Sequence, residues 1–340
     1  QLKTKVKYIP FNIASRKQIA ERLMEKGWQP KHHTDKGNVI VNEETLSHIK
    51  MPEAQMFSRF FLLQKRTGML KSWIKECHDD EKVRGRVMTL KTVTGRMAHN
   101  SPNMAQVPAS YSPYGKEFRS LWTISDPEKY NLIGTDASGL ELRCLAHYMR
   151  DKAYINEVVN GDVHTANMKM AGLTNRDQAK TFIYAFLYGA GAAKIGKVVG
   201  GGSAQGRDLI ERFLGNMPAL KRLRNQVTEA AREGSILGLD GRHLKIRSEH
   251  AALNTLLQGA GAIICKEWLV QITRIINARG VDAKLVASIH DEYQFEVSVK
   301  DTLNFCRITK EAILDTSRNL AVVCPLDAQY KVGKTWAETH

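Results

Sequence analysis

The segment Lys284–Val297 constrains the fold of this chain more than any other. Tyr293, Phe295 and Val297 alternate with Gln294 and Glu296, the two-residue period of a strand whose successive side chains face opposite ways. His290-Asp291 falls where the chain must reverse, so the spacing predicts two strands around a tight turn. Upstream, Tyr130-Asn-Leu-Ile-Gly-Thr-Asp136 reads as a buried strand that ends on an acid. Ala137-Ser138-Gly139 then turns the chain into a helix with the apolar stripe Leu142, Leu145, Ala146 and Met149. Strands and helices are mixed without a regular βαβ alternation, so the fold class is α+β.

The remaining segments are mostly helical. A short extended lead-in precedes a helix that Ser15 caps, with Ile19, Leu23 and Met24 apolar and a stop at Gly27; a turn follows at Asp35-Lys36-Gly37. The next helix carries Met56, Phe57, Phe60, Phe61, Leu63 and Leu70 as a mostly buried face, leaving Lys65, Arg66, Lys71 and Lys75 for a partner. Val83–Pro113 is polar and rich in Gly, Pro and Asn, which fits ordered loops over a surface. A further helix starts near Thr174, where Thr174 and Asp177 form a capping box, and ends near Gly189-Ala190-Gly191. A long helix runs from about His250 to Arg279 and stops at Gly280.

Lys and Arg outnumber Asp and Glu by 50 to 35, a formal charge of +15 spread along all 340 residues. That balance suits a polyanionic partner but specifies no reaction. Five cysteines, widely separated and without a C-x-x-C spacing, indicate neither a disulfide framework nor a zinc site, and fit a reducing compartment. No apolar stretch has the length to cross a bilayer, and no signal-peptide core follows Gln1. A soluble protein inside a cell is expected. Position 1 is Gln, which fits a piece or processed product of a longer polypeptide.

Three constellations carry chemistry. Asp136 and Asp291, with Glu292 beside the latter, sit where strands give out; two-metal phosphoryl transfer needs carboxylates able to bridge ions roughly 3.5–4 Å apart. Oxygen ligands without a His/Cys cluster favour magnesium or manganese over zinc. Taken singly, each acid reads better as a helix cap or an ordinary turn residue. Arg176, Lys180, Tyr184 and Tyr188 recur every four residues along one helix face, cations first and rings after, as a triphosphate and a base would require. Phe182, Ile183, Phe186 and Leu187 already supply the core side, although a solvated helix with both tyrosines packed inside is the alternative. On the long helix, His250, Asn254 and Gln258 form an uncharged polar stripe opposite Leu253, Leu256, Leu257 and Ile264, suited to hydrogen-bonding base edges in a minor groove or simply to facing water.

In order, these segments resemble the three motifs of family A, the polymerase I-type DNA polymerases, and most closely the replicative enzymes of short-tailed phages. Gly134-Thr-Asp-Ala-Ser-Gly-Leu-Glu-Leu-Arg143 is similar to motif A, Arg176-Asp-Gln-Ala-Lys-Thr-Phe-Ile-Tyr-Ala-Phe-Leu-Tyr-Gly189 to motif B, and Ser288-Ile-His-Asp-Glu292 to motif C. Supporting blocks are Thr94-Gly95-Arg96, Pro102–Pro108, Arg119, Asp162-Val163-His164 and Gly238–Arg242. The resemblance implies a right-hand palm built on an antiparallel sheet, with helical fingers and only the base of a thumb. It lays out residues 1–82 as thumb base and approach to the palm, 83–150 as palm, 151–235 as fingers around a motif B helix at 174–189, and 236–340 as palm. It implies template-directed DNA synthesis with two Mg2+ ions, Mn2+ being an alternative, held by Asp136, Asp291 and the carbonyl of Ala137.

By the same resemblance Arg176, Lys180 and His164 bind the incoming triphosphate, and Lys180 protonates the leaving pyrophosphate. Glu292 joins the catalytic acids, with the reservation that neighbouring strand residues point to opposite faces. Tyr188 stacks at the template position, Tyr184 lies against the sugar, and Glu141 excludes a ribose 2′-hydroxyl. Arg96, Asn254, Gln258 and His290 test the minor groove, while Asn103, Gln106, Arg119, Arg242 and His250 complete the expected DNA contacts. Gly139 and Tyr184 follow the phage branch and depart from the bacterial repair enzymes, and Tyr184 implies ready acceptance of dideoxynucleotides. The expected partners are primer-template DNA, dNTPs, a second polypeptide supplying thumb and exonuclease, and a processivity factor; the expected location is the cytoplasm of a host bacterium. The rival readings are a single-subunit RNA polymerase-like enzyme, against which Glu141 argues, and a non-catalytic DNA-binding module.

Overall fold

A computed structural model describes residues 10–34 and 36–340. Most of the expected lead-in, and Asp35 of the expected turn, lie outside the described residues. The chain divides into two units, residues 1–85 and 86–340.

In the first unit, helix α1 (Arg16–Glu25) starts where Ser15 caps it, the hydroxyl accepting from the Gln18 N–H at 3.3 Å. Gly27, at φ +95°, ends the turn after it. Helix α2 (Glu43–Ser47) is capped by Asn42, and α3 spans Pro52–Lys75. Ile19, Ala20, Leu23, Val41, Leu46 and Ala54 form a small core. The mostly buried face expected on α3 is a correction: Met56 is 71% exposed, Leu63 is exposed, and Phe57, Phe60, Phe61 and Leu70 are only half-buried. At about 100° per residue, Phe57 and Phe61 share the core side with Ala54 and Ser58, whereas Met56, Phe60, Leu63 and Leu70 fall on the opposite side.

The second unit opens with a short antiparallel pair, β1 (Arg86–Met88) and β2 (Ala98–Asn100), followed by α4 (Gly115–Ser120), β3 (Tyr130–Ala137) and α5 (Leu140–Met149). A helical region follows: α6 (Lys152–Asn160), α7 (Val163–Ala171), α8 (Arg176–Leu187), α9 (Ala192–Val198), α10 (Ser203–Asn216) and α11 (Pro218–Arg232). A small hairpin, β4 (Ser235–Leu237) and β5 (His243–Lys245), leads to the long α12 (Ala252–Arg279), which Gly280 ends at φ +62°. The chain finishes with β6 (Ala283–Ile289), β7 (Glu292–Ser298), α13 (Thr302–Asn319), β8 (Ala328–Gly333) and α14 (Trp336–Thr339). The start of α8 is a second correction. Its N-cap is Asn175, whose side-chain oxygen accepts from the N–H groups of Asp177 and Gln178 at 2.9 and 3.0 Å, so Thr174 lies one residue outside.

The main sheet runs β6-β7-β3-β8, every neighbour antiparallel, in agreement with the α+β expectation. The apolar half of β7 packs on α12 and α13: the Tyr293 hydroxyl donates to the Cys265 carbonyl at 2.6 Å, and Phe295 meets Phe305 with ring centres 4.8 Å apart. The polar half is buried as well. Trp336 donates to Glu292 and Thr339 to Gln294, at 2.6 and 2.7 Å, so α14 lies across that face. Gly134 makes this possible, because a Cβ there would meet the Thr339 carbonyl oxygen at 2.2 Å. Among the described residues, no helix is long and apolar enough to cross a membrane.

Candidate active site

The ladder sets Asp136 on β3 directly opposite Glu292 on β7. One step further, the Ala137 N–H donates to the Asp291 carbonyl at 3.1 Å, so the β6–β7 turn is pinned to the end of β3. His290 accommodates that turn at φ +56°. The Asp136 carboxylate opens to solvent at the sheet end, but protein crowds it from below. Burial, then the charges of Asp291 and Glu292, raise its pKa to about 7 against a smaller pull from His340. Asp291 is raised too, by burial and by Glu141, with Arg96 opposing. Neither acid has an ion-pair partner among the described residues. Two like-charged carboxylates left uncompensated at adjoining strand ends form a donor set of the kind a hard divalent cation satisfies. No group of three or more His, Cys, Asp or Glu side chains among the described residues would hold a metal by itself.

Glu292, the third acid here, is differently placed. It is buried, its Oε1 accepts from Trp336 Nε1 and Gln294 Nε2 at 2.6 Å each, and its Oε2 lies 2.6 Å from His340 Nδ1. Burial pulls its pKa up, yet the hydrogen bonds from His340, Gln294 and Trp336 outweigh this and leave it below the ordinary range. Arg119 belongs to the same layer, which corrects its expected role as a DNA contact. It is 6% exposed, donates from Nε to the Pro108 carbonyl at 2.9 Å, and lies 4.4 Å over the Trp336 ring. A guanidinium held in this way supports α14 and is not on the surface.

On α8 and its C-cap, Arg176, Lys180 and Tyr188 are exposed and Tyr184 is half-buried against the core, with Phe182, Ile183, Phe186 and Leu187 buried behind them. Arg176 bonds through Nε and Nη2 to Asp162 at 2.7 and 3.0 Å, and Asp162 also caps α7 through the His164 and Thr165 N–H groups. Lys180 is exposed and has no ion pair among the described residues. Burial, then the charges of Arg176 and Lys180, lower the pKa of His164, whose ring centre is 6.1 Å from that of Tyr184. Tyr184 and Tyr188 stack at 6.3 Å and 28°. Tyr188 is 47% exposed, which removes the alternative that it packs as core. Its hydroxyl donates to Glu141 Oε1 at 3.2 Å, and Arg96 Nη2 lies 3.6 Å from the same oxygen. Glu141 therefore joins α5, the end of α8 and the β1–β2 loop.

Of the expected polar stripe on α12, Asn254 and Gln258 are half-buried and His250 is exposed, while Leu253, Leu256, Leu257 and Ile264 are buried behind. His290 meets His99 edge-on at 6.3 Å, and burial with the charges of Arg96 and His99 lowers its pKa. Asn103 is engaged locally, accepting from the Ala105 N–H at 3.1 Å; Gln106 is exposed, and Arg242 pairs with Asp240 at 2.6 Å. A cavity of about 600 Å³ opens beside the end of α8, lined by Phe186, Gly189, Arg207, Arg224, Glu249 and His250, and Asp136, Asp291 and Glu292 lie outside it.

Sequence reasoning missed Lys266, Trp336 and His340. Lys266 Nζ donates to the carbonyls of Thr89 and Gly95, both at 2.7 Å, and so ties down the loop that carries Arg96. The readable signal was a lone cation directly after the apolar run Ala260–Cys265. For Trp336 and His340 it was that a buried Glu292 needs more donors than Gln294 on its own strand supplies.

An antiparallel sheet ending in an acid pair, faced by a helix of cations and tyrosines, has the fold of a polymerase domain. The POL domain of Pol1 from M. smegmatis, solved in complex with DNA primer-template and dNTP, matches it with a TM-score of 0.86 at 20% identity, over 96% of this chain and 62% of that one. The profile of DNA polymerase family A matches residues 1–338, and the chain belongs to that family. The DNA-directed DNA polymerases of Enterobacteria phage T3 and Escherichia phage T7 are each 38% identical over 378 residues, covering 99% of this chain and 54% of theirs. DNA polymerase I of Lactococcus lactis is 26% identical over 355 residues, covering 96% of this chain and 40% of its own. The chain thus spans about half the length of the phage relatives.

Proposed function

We propose that this chain performs template-directed DNA synthesis, adding deoxynucleotides to a primer 3′-hydroxyl by two-metal nucleotidyl transfer. The observation that carries the reading is the uncompensated pair Asp136 and Asp291, close enough to the α8 tyrosines for the Asp291 charge to act on Tyr184 and Tyr188. Asp136, Asp291 and the Ala137 carbonyl are the groups that would hold the cations, and oxygen donors favour magnesium or manganese. Such ions, when bound, supply Lewis acidity and neutralise the charge that develops during an in-line displacement at the α-phosphorus.

The side chains do the rest. Arg176 exchanges Asp162 for the triphosphate, Lys180 gives a proton to the departing pyrophosphate, and His164 donates to a phosphate oxygen. Glu141, held by Tyr188 and Arg96, occupies the space a ribose 2′-hydroxyl needs. Tyr184 backs the sugar and Tyr188 offers a stacking face to the template base. Arg96, Asn254, Gln258 and His290 line the minor groove of the newest pairs, with His250, Asn103, Gln106 and Arg242 along the DNA beyond. Glu292 acts beneath the pair, keeping β7 and α14 in register. Movement of α8 toward the acids on correct pairing makes chemistry follow selection.

Primer extension by the full chain, with deoxy- and ribonucleotides in parallel, tests this. Deoxynucleotide addition should disappear in Asp136→Ala while primer-template binding persists. Extension that survives this substitution overturns the metal-ligand role, and DNA binding without extension by the unsubstituted chain favours the non-catalytic module.

A further inference from the structure

Behind the α8 face, three polar groups point into the interior with nothing to bond. Asn167 on α7 is 0% exposed, and neither Oδ1 nor Nδ2 has a hydrogen-bond partner. The Tyr154 hydroxyl on α6, a residue 2% exposed, lies near enough to the Asn167 side chain to act on it but makes no hydrogen bond of good geometry with it. His164 Nδ1 is the third buried orphan. Asn167 is three residues after His164, hence on the same side of α7.

Each such orphan is destabilising, so an apolar residue of similar size at 167 would suit packing better than an amide does. The three groups are, however, chemically complementary. A tyrosine O–H donates to an amide oxygen, and an amide N–H donates to an imidazole nitrogen, directly or through one buried water. The direction of that second bond matters. A neutral imidazole has one proton, and a nitrogen that accepts from Asn167 cannot also carry it. The proton then sits on Nε2, the nitrogen not enclosed with the orphans, where it can donate to a phosphate oxygen. The other tautomer would turn a lone pair toward a polyanion.

We propose that Asn167, backed by Tyr154, is a positioning residue that holds His164 in the Nε2–H tautomer and so makes it a donor to the incoming triphosphate. This rests on the proposed contact between His164 and the triphosphate. An aspartate at 167 would reverse the arrangement, because a carboxylate accepts from Nδ1–H.

The test is nitrogen NMR of the histidine-labelled full chain, with assignment by His164→Ala. The expected result is a protonated Nε2 and a bare Nδ1 at His164, with the tautomer mixed in Asn167→Leu and inverted in Asn167→Asp. A protonated Nδ1 in the unsubstituted protein overturns the proposal, and this spectrum needs neither a substitution at 167 nor activity. In primer extension, Asn167→Leu should raise KM for dNTP about tenfold, one lost hydrogen bond, with kcat changed less and no further increase in a His164→Ala background. An equal increase in that background also overturns it, since Asn167 would then act by another route. If His164→Ala alone leaves KM unchanged, the triphosphate reading of His164 fails, while the tautomer measurement still decides what Asn167 does.

Discussion

Replacing Asp136 with Asn should make the protein more stable at pH 8 in the absence of divalent cations. The folded state raises this carboxyl from 3.8 to about 7, so it binds the proton more tightly than the unfolded chain does. The stability contributed by that proton is complete below pH 3.8, declines as pH rises through the interval, and is gone above 7. A rise of about three pH units, at about 1.4 kcal/mol for each, sets an upper bound near 4 kcal/mol. The carboxylate opens to solvent, and screening reduces this to about 1–2 kcal/mol. Asparagine keeps the shape and removes the repulsion, so Tm should rise by about 2–4 °C for a unit of this size. Thermal unfolding followed by tryptophan fluorescence, in chelator from pH 8 down to pH 4, reads the effect. The gain should shrink to a small fraction at pH 4, and millimolar magnesium should stabilise the unsubstituted protein more than the variant. A variant no more stable than its parent at pH 8, or a gain that does not depend on pH, would refute the uncompensated pair.

Three further outcomes are expected. Tyr188→Phe removes the 3.2 Å hydrogen bond to Glu141 but leaves the Arg96 contact; single-nucleotide incorporation should show ribose discrimination weakened by about 2- to 10-fold. Tyr184→Phe should raise discrimination against dideoxynucleotides by about tenfold, the effect of a single interaction of about 1.4 kcal/mol, measured as the ratio of dideoxy to deoxy incorporation rates. Gly134→Ala places a Cβ 2.2 Å from the Thr339 carbonyl oxygen and 2.6 Å from Gln294 Nε2; the main chain of α14 must shift, at a cost of about 2–3 kcal/mol, and unfolding curves should show the loss together with altered Trp336 fluorescence.

What could be read from the sequence follows from how far each determinant lies from its effect. The apolar half of β7 was legible because alternation is local. The burial of Gln294 and Glu296 was not, since their cover comes from Thr339 and Ser125. Arg119 looked like a surface cation for the same reason, because its partners Pro108 and Trp336 are 11 and 217 residues away. The cap at α8 was a closer contest. Thr174 satisfies a capping-box pattern, but the adjacent Asn175 is the stronger N-cap type and took the position. On α3 the run of apolar residues suggests one buried side, although their angular positions divide them between two.

The three acids at the sheet end show what a motif leaves undecided. Asp136, Asp291 and Glu292 are the same chemistry within one small region, and motif C alone says that its two neighbouring acids face opposite ways without saying which one is left open. The difference arises from α14. Trp336 and His340 reach back to satisfy Glu292, and Gln294 from β7 completes the set, so this carboxylate stays ionised and occupied. No donor of that kind reaches the other two carboxylates among the described residues, and their pKa values move the opposite way. A cation entering this site competes with a proton at Asp136 and Asp291, but at Glu292 it would have to displace three hydrogen bonds. On the proposed reading, the cation-binding acids differ from the supporting acid in which of them α14 and His340 have already satisfied.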